Sequence, residues 1–262
     1  MIPTVLVTGS SRGLGKGVAL ELAKQGYSVA IHYASNREAA EATAEECDSL
    51  KSAPEQKFPV VGGDVSCADA RQKLFDATLA AFEGRLDALV NNAGITSPGR
   101  KDILDATEEG FDTVMGVNLK GPHFLSQLVA RHWLANPGKS ALSTGYKLVF
   151  VTSVSASMVS TNRADYCISK AALGMSAQGF AARLANEGIQ VVEFRPGIMA
   201  TDMTAGVKEK YDPIIASGVV PQRRWGQPQD VGSAVGAFLA GHLAFCTGEV
   251  IYLDGGLHLP RL

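Results

Sequence analysis

Short runs of Val, Ile and Leu alternate with helical patterns along almost the whole chain, and this alternation constrains the fold more than any other feature. The runs are continuous rather than interleaved with polar residues, as strands buried on both faces require. Each run is followed by a helical pattern, so right-handed crossovers should place successive strands parallel to one another. The sequence therefore predicts an α/β fold, a doubly wound parallel sheet with helices on both faces.

The predicted elements follow one another without a linker. Strands are predicted at 5–8, 27–33, 57–62, 86–91, 147–152, 189–195 and 249–253, and helices at 16–25, 36–50, 68–82, 102–116, 118–135, 164–186 and 228–239. Two segments, 136–146 and 201–225, are irregular, and the second is expected to fold over the site as a lid. A chain of 262 residues without a linker is expected to form a single domain, residues 1–262.

Composition excludes several classes of function. The 24 basic and 26 acidic residues give a net charge of −2 without a basic stripe, so no nucleic-acid partner is expected. No apolar run approaches the roughly 18 residues of a membrane span. The four cysteines are scattered and the five histidines lack ligand spacing, so we expect reduced thiols and no metal. Met1-Ile2-Pro3 leads directly into the first strand, without room for a signal peptide, which favours a cytoplasmic location.

A glycine-rich segment, Thr8-Gly9-Ser10-Ser11-Arg12-Gly13-Leu14-Gly15, joins the first predicted strand to the first helix. Glycines let the backbone approach a pyrophosphate, and the helix N-terminus offers N–H groups and partial positive charge. The segment is therefore predicted to hold a dinucleotide in a Rossmann-type fold, although a glycine-rich turn without a ligand is the alternative at this point.

The end of the second strand bears on the choice of cofactor. The tip reads Tyr33-Ala34-Ser35-Asn36-Arg37 and lacks the carboxylate that usually accepts a hydrogen bond from the ribose of NAD. Arg12 and Arg37 are expected to face a 2′-phosphate instead, with Ser35 and Asn36 donating hydrogen bonds. This favours NADP(H) over NAD(H), with an exposed helix-start role for Arg37 as the alternative.

Tyr166 and Lys170 are four residues apart in a predicted helix, so their side chains should share one face. A phenol with a pKa of about 10 transfers protons poorly at neutral pH unless a neighbouring cation stabilises the phenolate. The pair is therefore a candidate for proton exchange with a carbonyl or alcohol oxygen. Alone, the same spacing also fits an exposed pair with no chemical role.

Taken together, the motifs resemble those of the short-chain dehydrogenase/reductase family over essentially the whole chain. The resemblance is carried by Thr8–Gly15, Asn91-Asn92-Ala93-Gly94, Asn118, Ser153, Tyr166-x-x-x-Lys170, Pro196-Gly197 with Thr201, and Asp254-Gly255-Gly256.

The resemblance implies a role for each matched catalytic position. Tyr166 would exchange a proton with the substrate oxygen, and Ser153 would hydrogen-bond that oxygen. Lys170 would hold the ribose hydroxyls and lower the pKa of Tyr166, and Asn118 would anchor a water that links Lys170 to solvent.

The resemblance, together with the glycine loop and the strand-two tip, also implies a set of cofactor-binding residues. Besides Tyr166 and Lys170, the set comprises Thr8, Gly9, Ser11, Arg12, Gly13, Leu14, Gly15, Tyr33, Ser35, Asn36, Arg37, Asp64, Val65, Asn91, Ala93, Gly94, Pro196, Gly197, Ile198 and Thr201.

Within the family, the pattern is most similar to the β-ketoacyl carrier-protein reductases, which implies reduction of a 3-oxoacyl thioester with NADPH. A sugar, polyol or hydroxy-acid dehydrogenase is the alternative, and a dinucleotide-sensing protein without catalysis is a third possibility. The stretch 186–188 offers a glutamate where those reductases place a basic residue for the carrier protein. Arg131 is a substitute contact, so this partner is left open.

The expected substrate wall comprises 95–100, 155–163 and the lid 201–225, in which Arg223 or Arg224 is a candidate clamp for a carboxylate or phosphate. Exposed or interface positions for these two arginines are the alternative. The family resemblance further implies a homotetramer, with a dimer second.

Overall fold

The structure is a computed structural model that describes residues 1–206 and 208–261, apart from the side chains of Met203 and Ala205. Val207 in the predicted lid therefore lies outside the described residues. The strands are β1 (Thr4–Val7), β2 (Ser28–Tyr33), β3 (Val60–Gly62), β4 (Ala88–Asn91), β5 (Lys147–Val151), β6 (Gln190–Pro196) and β7 (Glu249–Leu253). The helices are α1 (Gly13–Lys24), α2 (Arg37–Leu50), α3 (Ala68–Ala81), α4 (Glu108–Met115), α5 (Gly121–Ala135), α6 (Ala164–Leu184), α7 (Asp202–Ala205), α8 (Lys208–Ala216) and α9 (Pro228–Leu239).

The seven strands form one parallel sheet in the order β3-β2-β1-β4-β5-β6-β7. The prediction of a doubly wound parallel sheet is therefore confirmed. The chain reverses its direction of travel between β1 and β4, whose register pairs Val5 with Ala88. Ligands of such sheets bind beyond the carboxyl ends of the strands, beside this point.

Two hydrophobic cores cover the two faces of the sheet. On one face, Val18 of α1, Ala40 of α2 and Val235 of α9 are fully buried against the strands. On the other face, α3, α5 and α6 pack through side chains that include Leu74 and Leu125. Burial on both faces explains why the strand sequences lack alternating polar residues.

Helices α1 and α9 pack against each other at very short range. A Cβ atom added to Gly17 would lie 2.3 Å from the Cβ of Pro228, and one added to Gly232 would lie 2.8 Å from the Cβ of Glu21. Glycine at these positions lets the first and last helices of the chain touch almost backbone to backbone.

Some element boundaries differ from those predicted. The helix predicted from residue 102 begins at Glu108, because Thr107 caps it by accepting a hydrogen bond from the Gly110 N–H at 3.2 Å. The third strand begins at Val60 rather than at residue 57, and α6 ends at Leu184. By contrast, α9 and β7 have the predicted bounds.

Between α4 and α5 the helix widens into a π-helical turn, Gly116–Lys120. The sequence pattern predicted only a break near this point. Among the described helices, none is long and apolar enough to cross a membrane.

Candidate active site

The glycine-rich segment turns sharply from β1 into α1. Gly9 and Gly13 have φ angles of +66° and +58°, which favour glycine. Arg12 is the N-cap residue of α1, and its side chain makes no capping hydrogen bond. The first N–H groups of α1 are thus available to an anionic ligand, and its N-terminus contributes partial positive charge.

Close contacts hold this turn in place. A Cβ atom on Gly15 would lie 2.3 Å from the carbonyl oxygen of Gly9 and 2.5 Å from Nδ2 of Asn92. One on Gly9 would lie 2.9 Å from the Cα of Ala93. Leu14 is partly buried against the core beneath, and the Ser11 carbonyl accepts a hydrogen bond from Oγ1 of Thr43 at 3.1 Å.

Hydrogen bonds join the ends of β1 and β4. Oγ1 of Thr8 accepts the N–H groups of Asn92 and Ala93, each at 3.0 Å, and Nδ2 of Asn92 donates to the Thr8 carbonyl at 2.9 Å. The sequence motif marked Asn92 only as part of a pattern. Its structural role is to fix the glycine loop to the next strand.

His32 of β2 supports the loop from the other side. Its buried ring accepts the Gly9 N–H at Nδ1, at 2.9 Å, and Nε2 lies 2.8 Å from the Gly63 carbonyl oxygen. These partners require a proton on Nε2 and none on Nδ1, which is the neutral ring. Burial lowers the pKa of His32, and the Gly63 hydrogen bond and the charge of Asp64 oppose that shift. The sequence pattern gave no role to His32 beyond its lack of metal-ligand spacing.

The predicted 2′-phosphate residues lie in two segments, the glycine loop with Arg12 and the tip of β2 with Ser35, Asn36 and Arg37. Arg12, Ser35 and Arg37 are all exposed. Nε of Arg37 donates to Glu41 at 2.7 Å, and Oδ1 of Asn36 caps α2 by accepting the Ala39 N–H at 2.9 Å. The guanidinium group at the tip of β2 is therefore already held by a carboxylate one helical turn away.

Tyr33, Asp64 and Val65 line the side of β2 and β3. Tyr33 packs on Gly62, where an added Cβ would lie 2.7 Å from the phenol carbon Cζ. Asp64 is exposed and accepts from the backbone N–H and the hydroxyl of Ser66, each at 2.8 Å. Val65 is buried, and its carbonyl accepts from Arg71 at 2.7 Å.

The Asn91 side chain points away from the predicted ligand site. Its Nδ2 donates to Oγ of Ser126 at 2.9 Å, and its buried Oδ1 has no hydrogen-bond partner among the described residues. Only the backbone of Asn91 can therefore face a cofactor. Ala93 and Gly94 follow it at the open end of β4.

Asn118 lies in the π-helical turn and is fully buried. Its Oδ1 accepts the Ile95 N–H at 2.8 Å, and its Nδ2 donates to the Ile95 carbonyl at 3.0 Å and to Ser169 Oγ at 3.1 Å. The side chain thus ties the loop after β4 to α6. A π-helical turn of this kind often marks a functional site.

Ser153 and Tyr166 meet beyond the end of β5. Ser153 Oγ accepts the Ser155 N–H at 3.1 Å. Burial raises the pKa of Tyr166, while the neighbouring Ser153 hydroxyl and the charges of Arg163 and Arg100 oppose that shift. Burial therefore favours the protonated phenol at neutral pH.

Lys170 lies one helical turn from Tyr166 and is buried. Its Nζ donates to the Val151 carbonyl at 3.2 Å and lies 5.7 Å from the centroid of the Tyr166 ring. Burial lowers the pKa of Lys170 to about 8, and the negative charge of Glu193 opposes the shift. Glu193, which the sequence reading did not single out, is itself buried and pairs with Arg195 at 2.6 Å.

The segment after β6 closes the site above α1. A Cβ on Gly197 would lie 2.6 Å from the Cβ of Asp254, so Pro196 and Gly197 are pressed against the residue that follows β7. The Ile198 carbonyl accepts the Gly226 N–H at 3.0 Å. Thr201 caps α7, and its Cβ lies 3.9 Å from an added Cβ on Gly13.

The two lid arginines, predicted as candidate clamps for a carboxylate or phosphate, contact other residues of the protein instead. Nη1 of Arg224 pairs with Asp230 at 2.7 Å, and Arg223 folds back against Gly218. Within the described part of the chain, no cluster of His, Cys, Asp and Glu could hold a metal ion.

Comparison with known proteins agrees with this arrangement. Residues 9–258 match the family model described as Enoyl-(Acyl carrier protein) reductase. The chain is 32% identical over 261 residues to the 3-oxoacyl-[acyl-carrier-protein] reductase FabG of Staphylococcus epidermidis, with 99% of this chain and 100% of that protein covered.

Solved structures are similar over the whole chain. A 3-oxoacyl-[acyl-carrier protein] reductase from Brucella melitensis in complex with NAD superposes with a TM-score of 0.92 at 42% identity, covering 100% of this chain and 99% of that one. The landomycin C-6 ketoreductase LanV with bound NADP and rabelomycin has a TM-score of 0.82 at 27% identity, covering 97% and 96%.

Proposed function

Because the chain belongs to the short-chain dehydrogenase/reductase family of oxidoreductases, we propose that it reduces a keto group to a secondary alcohol with NADP(H). The observation that carries this proposal is the pair of Tyr166 and Lys170 on α6, with Lys170 Nζ 5.7 Å from the centroid of the Tyr166 ring and Ser153 beside the phenol. The pair lies at the same end of the sheet as the glycine loop.

The catalytic residues act on the carbonyl oxygen. Tyr166, whose pKa burial raises, holds a proton at neutral pH and donates it to that oxygen, while Ser153 positions the oxygen by a hydrogen bond. Lys170, with a pKa of about 8, is mostly protonated at neutral pH and holds the ribose hydroxyls. The nicotinamide, when bound, supplies the hydride. Asn118 keeps Ile95 and Ser169 in place beside Lys170 and anchors the water through which the proton is replaced.

The glycine loop and its neighbours fit a dinucleotide. Gly9, Gly13 and Gly15 would hold the pyrophosphate at the N-terminus of α1, in a turn whose conformation an added Cβ at Gly15 would disrupt. Asp64 and Val65 would contact the adenine, and Asn91, Ala93 and Gly94 would line the cofactor beyond β4. Pro196, Gly197, Ile198 and Thr201 would hold the nicotinamide amide.

NADP(H) is the proposed cofactor because residues 33–37 at the end of β2 contain no carboxylate to accept the ribose hydroxyl, while Arg12 of the glycine loop and Arg37 offer positive charge. Ser35, Asn36 and Tyr33 complete that end of the site. NAD(H) is the second candidate, because the Brucella melitensis relative was solved with NAD.

A 3-oxoacyl thioester is the first substrate to test, because the curated relatives are named for that reaction. Delivery of the substrate by an acyl carrier protein is less well supported. Arg183, at the end of α6, already pairs with Glu187 at 3.0 Å, so its charge is partly compensated before any acidic protein approaches. A sugar, polyol or hydroxy-acid dehydrogenase is the second candidate function.

We also propose a homotetramer, with a dimer as the second choice. An open groove of about 1450 Å³ lies between the α4–α5 region and α6, and exposed Met175 and Phe124 line it beside small residues such as Ala172. Asp112 and Arg183 on the same surface offer opposite charges, so a second copy related by a twofold axis can cover it. Sedimentation velocity should give the mass of four chains, and a mass of one chain would refute the proposal.

The segment 201–225 is proposed to act as a lid on a single domain, residues 1–262, in the cytoplasm. In the described part of that segment, α7 and α8 lie between Thr201, which borders the glycine loop, and Gly226, which bonds to Ile198. The four cysteines are free thiols, which suits a reducing compartment.

A substrate panel tests the proposed reaction. Purified protein should oxidise NADPH in the presence of acetoacetyl-CoA or small ketones, and NADH should serve less well. Oxidation of NADPH by none of the keto compounds, together with reduction of NADP⁺ by a sugar or polyol, would favour the second candidate.

A further inference from the structure

Arg163 lies beside the proposed proton donor. It is the residue immediately before α6, and its Cζ lies 5.4 Å from the centroid of the Tyr166 ring. The side chain is partly buried, yet it forms no ion pair and no hydrogen bond with any described residue. Partial burial of a guanidinium group without a counter-ion is energetically unfavourable. Its occurrence here therefore indicates a role in binding.

Arg100 lies in the loop after β4, at the end of the short helical turn Pro98–Arg100. Its φ angle is +47°, directly after Gly99 at +67°, so an arginine holds a left-handed conformation that glycine or asparagine adopts more easily. Strain of this kind is typically retained where the side chain is needed. Arg100 also forms no ion pair with a described residue, and its charge acts on Tyr166.

A buried contact fixes the two segments relative to each other. Oγ of Ser97, three residues before Arg100, donates to the carboxylate of Asp165, two residues after Arg163. Asp165 also accepts the Tyr166 N–H at 2.8 Å and is 6% exposed. The Asp165 carboxylate is therefore engaged in these bonds, and it pairs with neither arginine within the described residues.

We propose that Arg100 and Arg163 together bind a carboxylate of the substrate beside the carbonyl group that Tyr166 protonates. The preferred substrates are then short keto acids, which are reduced to hydroxy acids. The inference rests on the proposed keto reduction and deepens it. Two guanidinium groups attract a carboxylate strongly at a partly buried site. A neutral thioester offers no charge to these guanidinium groups.

A pair of matched substrates tests the proposal. Acetoacetate and methyl acetoacetate carry the same keto group and differ in the charge of the neighbouring carboxyl group. With NADPH, kcat/KM for wild-type protein should be about tenfold higher for acetoacetate, as expected for a charge-assisted contact. Arg163→Gln and Arg100→Gln should each lower kcat/KM for acetoacetate about tenfold more than that for methyl acetoacetate, mainly through KM, because the effect of either charge on Tyr166 is common to both substrates.

Controls separate this effect from general damage. Arg163→Lys keeps the charge and should restore part of the preference for the acid. Lys57→Gln removes an exposed charge at the opposite end of the sheet, before β3, and should change neither substrate. Equal rates for acid and ester, or equal losses for both in the arginine variants, would overturn the inference while leaving keto reduction intact.

Binding of an unreactive anion decides the question independently of turnover. Monomethyl malonate resembles acetoacetate but has no keto group to reduce, and dimethyl malonate is its neutral counterpart. In titration calorimetry, the monoester should bind the protein with NADP⁺ present, the diester about tenfold less tightly, and Arg163→Gln should weaken only the monoester. Failure of the wild type to reduce any keto compound would refute the proposed function, whereas failure to prefer the monoester would refute this inference.

Discussion

The two halves of the site are held in different ways. Around the glycine loop, the ends of β1, β2 and β4 are joined by hydrogen bonds from Thr8, Asn92 and His32, and added Cβ atoms would clash with backbone. The substrate half is built from segments after β4 and β5 with few fixed points, chiefly Asn118 with Ile95 and Ser97 with Asp165. The half around the glycine loop is therefore suited to one fixed ligand. Side chains of the substrate half can be substituted without disturbing the glycine loop.

The largest expected effect lies in the substrate half. Tyr166→Phe removes the phenol hydroxyl and its proton without adding volume, so turnover should fall at least about 100-fold. Fluorescence titration should give a Kd for NADPH within about twofold of wild type. Near-normal turnover would remove Tyr166 from its proposed role, and loss of NADPH binding would show that the two halves are not separable.

The corresponding change in the cofactor half is Gly15→Ala. Its Cβ would lie 2.3 Å from the Gly9 carbonyl oxygen, so the loop must shift, at a cost of about 1–3 kcal/mol in the free energy of unfolding. NADPH binding should weaken by more than about tenfold. Gly84→Ala is the control, because it has φ of +82° and open space around it. It should lower stability by about 1 kcal/mol and leave binding unchanged.

The buried ring of His32 should make the free energy of unfolding depend on pH. Burial lowers the pKa of the folded ring below its unfolded value of about 6.5. The unfolded chain therefore takes up the proton first. The stabilisation is complete above pH 6.5 or so and is lost as the pH falls below that value, by at most about 1.4 kcal/mol per pH unit.

Denaturation between pH 7.5 and 5 should show this slope in wild-type protein and a shallower one in His32→Gln. Burial also lowers the pKa of His132, on α5, so His132→Gln measures the part of the slope that arises away from the loop. An unchanged slope in His32→Gln would mean that the ring is not held neutral by the loop.

The smallest effect on cofactor binding is expected at the exposed tip of β2. Arg37 is exposed and already pairs with Glu41, so Arg37→Gln should weaken NADPH binding only a few-fold and leave NADH binding unchanged. Lys24→Gln, which removes another exposed and paired charge at the far end of α1, should alter neither cofactor. Equal weakening of NADPH and NADH by Arg37→Gln would contradict the 2′-phosphate assignment.

Sequence patterns predicted the bounds of some elements correctly and of others only approximately. Strand β7 and helix α9 have the predicted bounds, because continuous apolar runs and a proline at the first turn are local signals. The start of α4 was predicted six residues early, because residues 102–107 contain no helix breaker and only the Thr107 cap marks the boundary. The third strand was predicted three residues too long at its beginning.

Candidate site residues could be predicted where they belong to a sequence motif. They could not be predicted where their role depends on tertiary contacts. Tyr166, Lys170 and Ser153 stand in recognisable spacing. His32 and Glu193 do not, since each lies within a strand and acts on a partner distant in sequence. Asn91 shows the reverse case, because the motif includes it although its side chain turns toward Ser126.

The close packing of α1 on α9 has a consequence for synthesis on the ribosome. The glycine loop begins α1, yet the surface that α1 needs, around Pro228 and Gly232, emerges about 200 residues later. Until then, the apolar side of α1 lacks its final neighbour, and such distant contacts slow folding. Nascent chains that end before α9 should therefore be cleaved by protease around the first helix. They should become resistant only when the C-terminal quarter of the chain has been made.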